Sequence, residues 1–208
     1  MRVLVACEES QAVTIELRAL GHEAYSCDLI ECSGGHPEWH IVDDIRDIVT
    51  HHGWDMMIAH PPCTRLANSG RRWLHTPPKS RTMAGMWAEF FEGVELYKAI
   101  RDAPIPKIAI ENPVMHDHAR ELLGGASRHI VQPWWFGDPA FKATGFELIG
   151  LDPLKATNNL KVPVPGTEEH KEWSAVHRMS PGPERAKLRS KTFPGIAKAI
   201  AQQWAGEA

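Results

Sequence analysis

One cysteine in this chain stands in a setting that suits chemistry. Cys63 closes the run His60-Pro61-Pro62-Cys63, directly after a very apolar stretch, Met56–Ala59. Two successive prolines fix an extended, rigid turn, so the next side chain is held out at the end of the strand. The default for a cysteine is a buried, inert position. What argues against that default is a second loop of the same kind: Glu111-Asn112-Pro113 follows the apolar stretch Ile108–Ile110 and delivers a carboxylate to the same edge. A nucleophilic thiolate and a carboxyl acid facing one pocket form a chemically sensible pair.

Both loops need a sheet to carry them, and the chain has the pattern of one. Short apolar runs alternate with helical spacing: Val3–Ala6, then Val13, Leu17 and Leu20, then Ala24–Cys27, then Met56–Ala59. A long helix follows, with Met83, Met86, Phe90, Val94 and Tyr97 on one face. Strands at Ile108–Ile110 and His129–Val131 flank a short helix near Ala119–Leu123, which Gly124 and Gly125 stop. Ala143–Ile149 adds a last strand or hairpin arm, and Ile196, Ile200 and Trp204 behind Pro194 mark a closing helix. The alternation predicts an α/β fold, a Rossmann-like sheet with helices on both faces. Residues 1–151 make its body, and 189–208 return to it as the last helix. Between them, from Asp152 on, Pro, Gly, Asn and charged residues predict loop.

In open parallel sheets ligands sit at the carboxyl ends of the strands. Those ends are Cys7–Gln11, Asp28–Leu29, Asp44–Ile45, His60–Cys63 and Glu111–Pro113. The first loop lacks the glycines that cradle a pyrophosphate and offers Glu8 and Glu9 instead, which disfavours a dinucleotide. S-adenosylmethionine has no phosphate and carries a sulfonium and an ammonium, so acids near the first helix suit it. Asp28 is placed to accept from ribose hydroxyls and Asp44 from the adenine amino group. The plainer alternative for such acids is helix capping.

Bulk properties set limits. A chain of 208 residues, 43% of them hydrophobic, fits one domain with a real core. Met1–Ala6 already reads as a strand, with no charged-then-apolar leader, and four cysteines without regular pairing suit a reducing compartment, so an intracellular protein is expected. Net charge is −3 and gives no support for nucleic-acid binding by itself. Local charge does. Thr64–Thr82 holds Arg65, Arg71, Arg72, Lys79 and Arg81 with no acid; Ser174–Lys198 holds Arg178, Arg185, Lys187, Arg189, Lys191 and Lys198 against Glu184 alone. Two solvated loops are the plainer reading of either stretch taken singly.

Taken in order along the chain, these residues resemble the DNA cytosine carbon-5 methyltransferases. Pro62-Cys63 is similar to their catalytic Pro-Cys motif, and Glu111-Asn112-Pro113 to their Glu-Asn-Val. Asp28-Leu29 is similar to their acidic–bulky pair at the ribose, and Asp44-Ile45 to their Gly-Asp-Ile segment. Ser190-Lys191-Thr192-Phe193-Pro194 is similar to their Asn-Ser-Val-x-Pro, where a hydroxyl, here that of Thr192, meets the methionine part of the cofactor. Short phage and prophage members are the nearest in kind, which implies the cytoplasm of a bacterial or phage-infected cell.

The chain also departs from that pattern. Cys7-Glu8-Glu9-Ser10-Gln11 stands where the family has Phe-x-Gly-x-Gly, and Gln-x-Arg-x-Arg is missing, Gln132 with Lys142 being the nearest substitute. The target-recognition domain has shrunk to about Asp152–Leu188.

The resemblance implies S-adenosylmethionine as cofactor, held by Cys7, Glu8, Glu9, Ser10, Asp28, Leu29, Asp44, Ile45, Pro62 and Thr192. It implies DNA as substrate. Cys63 adds to carbon 6 of a flipped cytosine, and Glu111, protonated or sharing a proton with ring nitrogen 3, relieves the charge there. Asn112, Arg65 and Lys142 are expected near the base or its strand, with Arg71, Arg72, Arg81, Arg185 and Arg189 on phosphates. So small a recognition segment, anchored by Leu160, Val162, Val164, Trp173 and Val176, predicts a site of about one to three base pairs. Three other readings compete, one of them a non-catalytic DNA-binding or modification-sensing relative, against which the intact Cys63 and Glu111 speak. His60-Pro61-Pro62-Cys63 shares its prolines with the Asp-Pro-Pro-Tyr motif of amino-methyltransferases, but lacks the acceptor before them and the aromatic after them. Cys27, Cys32, His36 and His40 have ligand-like spacing for zinc, yet Cys27 lies in the second strand beside Asp28.

Overall fold

The computed structural model describes residues 1–50, 53–125, 128–178 and 191–208, and of residues 176 and 177 the backbone alone. Seven strands form one mixed sheet: β1 (Arg2–Ala6), β2 (Glu23–Asp28), β3 (His40–Val42), β4 (Met56–Ala59), β5 (Ile108–Glu111), β6 (His129–Val131) and β7 (Thr144–Ile149). Their order is β3-β2-β1-β4-β5-β7-β6. The first five in that order run parallel, and β7 enters antiparallel to both β5 and β6. The strand order turns back between β1 and β4, and this switch point is where doubly wound sheets open a crevice for ligands.

Central strands buried on both faces read as apolar runs rather than alternations. β4 is such a strand, with all four residues at 0% exposure. Alternate residues of β1 enter different cores. Leu4 and Ala6 pack with α4 (Met83–Arg101) through Phe90, Val94 and Tyr97. Val3 and Val5 pack with α1 (Ala12–Ala19) and the closing helix Pro194–Ile200 through Val13, Leu17, Ile196 and Ile200. The closing helix runs on through one π-type turn, Ala201–Ala205, that buries Trp204. Met83, placed on the core face of α4 by its spacing, is 52% exposed because it sits in the first turn. Asp117–Leu123 forms α5, after α2 (Ile45–Ile48) and α3 (Arg71–His75), and ends on Gly124 at φ 77, the left-handed position that favours glycine.

The segment after β7 carries only α6 (Glu168–Trp173) and α7 (Ala175–Arg178) among its described residues. It is fastened to the body. Trp204 Nε1 donates to the Asp152 carbonyl at 2.9 Å, Lys155 and Gln203 exchange two hydrogen bonds, and the Leu160 amide donates to the Trp134 carbonyl at 2.9 Å. Leu154 and Trp173 are its buried anchors, whereas Val162 and Val164 are exposed. The Val176 side chain lies outside the described residues. No helix among the described residues is long and apolar enough to cross a membrane.

Candidate active site

β4 and β5 pair in parallel with Ala59 opposite Ile110, so His60 leaves the sheet level with Glu111. The loops that follow are stitched together by their backbones. Ala67 bridges Met115, the Asn68 amide donates to the Val114 carbonyl at 2.8 Å, and the His116 amide donates to the Leu66 carbonyl at 3.1 Å. His116 is fully buried and adds a side-chain bond, its Nε2 donating to the Arg65 carbonyl at 2.8 Å. Gly70 permits the tight fold of the first loop, since a Cβ there would stand 2.0 Å from the Thr64 carbonyl oxygen. In this frame Pro61 is buried while Pro62 and Cys63 are exposed. The thiol is presented outward as the double proline requires, and none of the four cysteines is in a disulfide.

Glu111 and His60 meet across the two loops. His60 Nδ1 donates to Glu111 Oε2 at 3.1 Å, with the imidazole 7% and the carboxylate 27% exposed. Burial pushes the Glu111 carboxyl up, but the His60 hydrogen bond, the His60 charge and the Lys142 cation together outweigh it and hold the carboxyl below its ordinary range. Its resting state without a base is therefore the carboxylate, and of the two forms expected from the sequence, protonated or sharing a proton with ring nitrogen 3, the first is disfavoured. Lys142 lies where it acts on Glu111 and also donates to the Lys191 carbonyl at 3.3 Å. Two buried polar atoms here meet no partner among the described residues: His60 Nε2 and Asn112 Oδ1. Such orphans call for an explanation, and a ligand is one. His60 escaped the sequence reading as a site residue. Its signal was register: it and Glu111 are each the first residue beyond the paired part of adjacent parallel strands.

At the other end of the edge, the first loop makes its turns without glycine. Cys7 at φ 56 and Gln11 at φ 57 both hold left-handed backbone, a strained state for residues with a Cβ and one that clusters at functional sites. Gln11 is locked in place, accepting from the His36 amide at 3.1 Å and donating to the His36 carbonyl at 2.8 Å. Glu8 is a buried cap: Oε1 accepts from the Val13 amide at 2.7 Å, and Oε2 from the Thr14 hydroxyl at 2.8 Å. Burial raises its pKa, against the lowering effects of His60 and those hydrogen bonds. Cys7, Glu8, Glu9, Ser10, His60, Lys191 and Thr192 line one small cavity of about 30 Å³, room for roughly two water molecules and well short of a small-molecule pocket. The expected cofactor residues of the first loop thus meet Thr192 from the segment before the closing helix. The Cys7 thiol is pushed up to about 12 by burial and then by Asp28, Cys27 and Asp44, so it is not a thiolate.

The remaining acids divide. Among the described residues the Asp28 carboxylate accepts one long hydrogen bond, from the Ile30 amide at 3.4 Å, and it stands beside exposed Leu29 and Ile30. Asp44 is the N-cap of α2, accepting from the Arg46 amide at 2.9 Å, and its carboxylate is also paired with the Arg46 guanidinium, which holds its pKa low. A hydrogen bond from an adenine amine to Asp44 requires that pair to open. Ile45, expected at the cofactor, is 5% exposed and packs in the core.

The basic stretch after Cys63 has no acid in sequence but finds acids in space. Arg65 donates to Glu89 at 2.8 Å and Arg81 pairs with the same carboxylate; Arg71 reaches Asp117 at 3.4 Å; Arg72 lies over the Trp73 ring at 4.0 Å. Arg185 and Arg189 lie outside the described residues. In the zinc-like set, His40 uses both ring nitrogens, on Ser26 Oγ and the Ile30 carbonyl at 2.8 Å each, and the buried Cys27 thiol donates to the Asp43 carbonyl at 3.5 Å. Among the described residues no group of three or more His, Cys, Asp or Glu side chains is arranged to hold a metal. Comparison with known proteins adds no assignment: no family model matches the chain, and no curated protein does.

Proposed function

We propose that this chain is an S-adenosylmethionine-dependent methyltransferase acting on carbon 5 of cytosine in DNA, with Cys63 as nucleophile and Glu111 as the group that serves ring nitrogen 3. The observation that carries the reading is the pairing of the two loops: an outward thiol and a half-buried carboxylate leave adjacent parallel strands at one level, stitched by backbone bonds and by His60. The donor set fits the cofactor. Asp28 has lone pairs left for ribose hydroxyls, Leu29 and Ile30 offer apolar surface to a base, and the cavity at Cys7–Ser10 and Thr192 has polar groups for an amino acid end. When bound, S-adenosylmethionine supplies an electrophilic methyl group on a sulfonium.

Carbon 5 of cytosine is a poor nucleophile until carbon 6 is attacked. Cys63 sulfur forms a bond to carbon 6, and the electron pair of the 5,6 double bond becomes available at carbon 5. Charge that builds toward ring nitrogen 3 meets a proton from Glu111, an effect of about 10²- to 10⁴-fold for a general acid. With the cofactor bound, carbon 5 would take its methyl group as the sulfur–methyl bond breaks and leaves a neutral thioether; the carbon-5 proton then leaves to water, the proton on ring nitrogen 3 returns to Glu111, the double bond re-forms and Cys63 departs. Since both faces of the base are needed, the cytosine leaves the stack at about a few kcal/mol. The test is to incubate the protein with S-adenosylmethionine labelled in the methyl group and unmodified DNA and to map the methylated positions. The expected product is 5-methylcytosine; label on an exocyclic amine, or none in DNA, contradicts the proposal.

A further inference from the structure

Glu111 rests as a carboxylate, yet the role proposed for it asks for a proton. The structure offers one neighbour able to bring it. His60 Nδ1 is 3.1 Å from Glu111 Oε2, the imidazole is nearly closed off from solvent, and among the described residues Nε2 meets no hydrogen-bond partner. Its hydrogen bonding is thus directed at Glu111, and nothing at Nε2 competes for the ring's proton. We infer that His60 is a positioning residue that stores the proton Glu111 delivers, the two side chains working as one relay that lends the base a proton and takes it back. This rests on the cytosine reading above.

Written as bonds, the relay balances. As Cys63 adds, the His60 Nδ1–H bond breaks while an O–H bond forms on the Glu111 carboxylate, and that O–H bond breaks in turn as the N–H bond at ring nitrogen 3 forms, leaving Glu111 a carboxylate. The imidazolium becomes a neutral imidazole, and the base holds the proton. When the 5,6 double bond returns, the proton retraces the path and His60 is charged again. No other reagent enters.

The surroundings suit a proton store. Glu8, in the β1–α1 loop, lies close enough to His60 to feel its charge, although both Glu8 oxygens stay on α1. Lys142, in the loop before β7, acts on Glu111 and favours its return to carboxylate. Cys7, Glu9 and Lys191 complete the titratable groups that share the cavity with His60. A histidine is suited to this duty because its charge changes between about pH 5 and pH 8.

The deciding variant is His60→Asn, whose amide can still donate to Glu111 but has no proton to give. Single-turnover methylation of DNA at saturating cofactor is followed from about pH 6 to about pH 8. The variant is expected about 10- to 100-fold slower than wild type at the upper end, with the gap closing at the lower end, where solvent protonates Glu111 directly. Equal rates and an equal pH profile would mean that His60 only holds Glu111 in place, which overturns the relay and leaves the cytosine reading standing. A wild type that puts no methyl on cytosine overturns both. Should the variant fail to fold, the ¹⁵N resonance of His60 Nδ1 in the otherwise native protein answers instead: it is expected to move on Glu111→Gln, and an unmoved resonance overturns the pair.

Discussion

The two ends of the carboxyl edge of this sheet use similar side chains in opposite ways. At the β1–β3 end, Glu8 and Asp44 turn their carboxylates onto backbone amides of α1 and α2, and the acids are satisfied before any ligand arrives. At the β4–β5 end, Glu111 has no helix to cap. It is paired with His60 from the neighbouring loop, and Asn112 beside it keeps a buried, partnerless oxygen. An acid directly after a strand therefore does one of two jobs, and what separates them is whether a helix begins within reach of its side chain.

The largest expected effect lies at the chemical end. Glu111→Gln removes the carboxyl that serves the base and should slow single-turnover methyl transfer by about 10²- to 10⁴-fold. A loss below tenfold would mean that the His60 pair is only structural.

At the cofactor end the comparison separates two aspartates that looked alike in sequence. Asp28→Ala should weaken S-adenosylhomocysteine binding by about 1–3 kcal/mol in calorimetry while leaving unfolding by urea nearly unchanged. Asp44→Ala should do the reverse, costing about 1 kcal/mol of stability through the lost cap, with the smaller effect on affinity. Equal affinity losses would show that the Asp44–Arg46 pair opens for the ligand.

The rim of the site provides a weaker test. Glu89 engages both Arg65 and Arg81. Glu89→Gln releases two guanidinium groups, so DNA binding should tighten and the slope of log affinity against log salt should steepen by about 1 to 2. An unchanged slope would mean that these arginines face no phosphate.

The smallest effect is in acid. Glu8 is raised in the fold, so its contribution to stability is full below the unfolded pKa and is lost as pH rises through the folded one. Glu111 is lowered, so its contribution is present above the unfolded pKa and is lost as pH falls through the folded one. Acidification below about pH 4.5 should therefore cost Glu111→Gln less stability than wild type, whereas the Glu8 difference falls above about pH 4.5, where acidification should cost Glu8→Gln more. Urea midpoints at several pH values check both signs.

Much of the frame was legible because burial writes itself as apolar runs. β1, β4 and β5, the closing helix and the stop at Gly124 all follow from such runs and their punctuation. β3 was not, since His40–Val42 is three residues at the sheet edge and leaves Val42 49% exposed. At the site, Cys63 and Glu111 announced themselves by residue type and by the prolines. What sequence could not convey was pairing in space: the closure of Arg65 and Arg81 on Glu89, the capping duties of Glu8 and Asp44, and His60 at the level of Glu111 all depend on which elements become neighbours. Leu154 was missed as an anchor because a lone leucine between loop residues has no periodicity to reveal it.

The central claim is a covalent one, so the most direct measurement is a trap. DNA carrying 5-fluorocytosine lets carbon 6 be attacked and carbon 5 be methylated, and then blocks the elimination that frees the enzyme. The account predicts a complex that survives denaturation, with the modified peptide mapped to Cys63 and no complex from Cys63→Ser. Methylation of ordinary cytosine without any trapped adduct, or an adduct mapped to Cys7, Cys27 or Cys32, would contradict it.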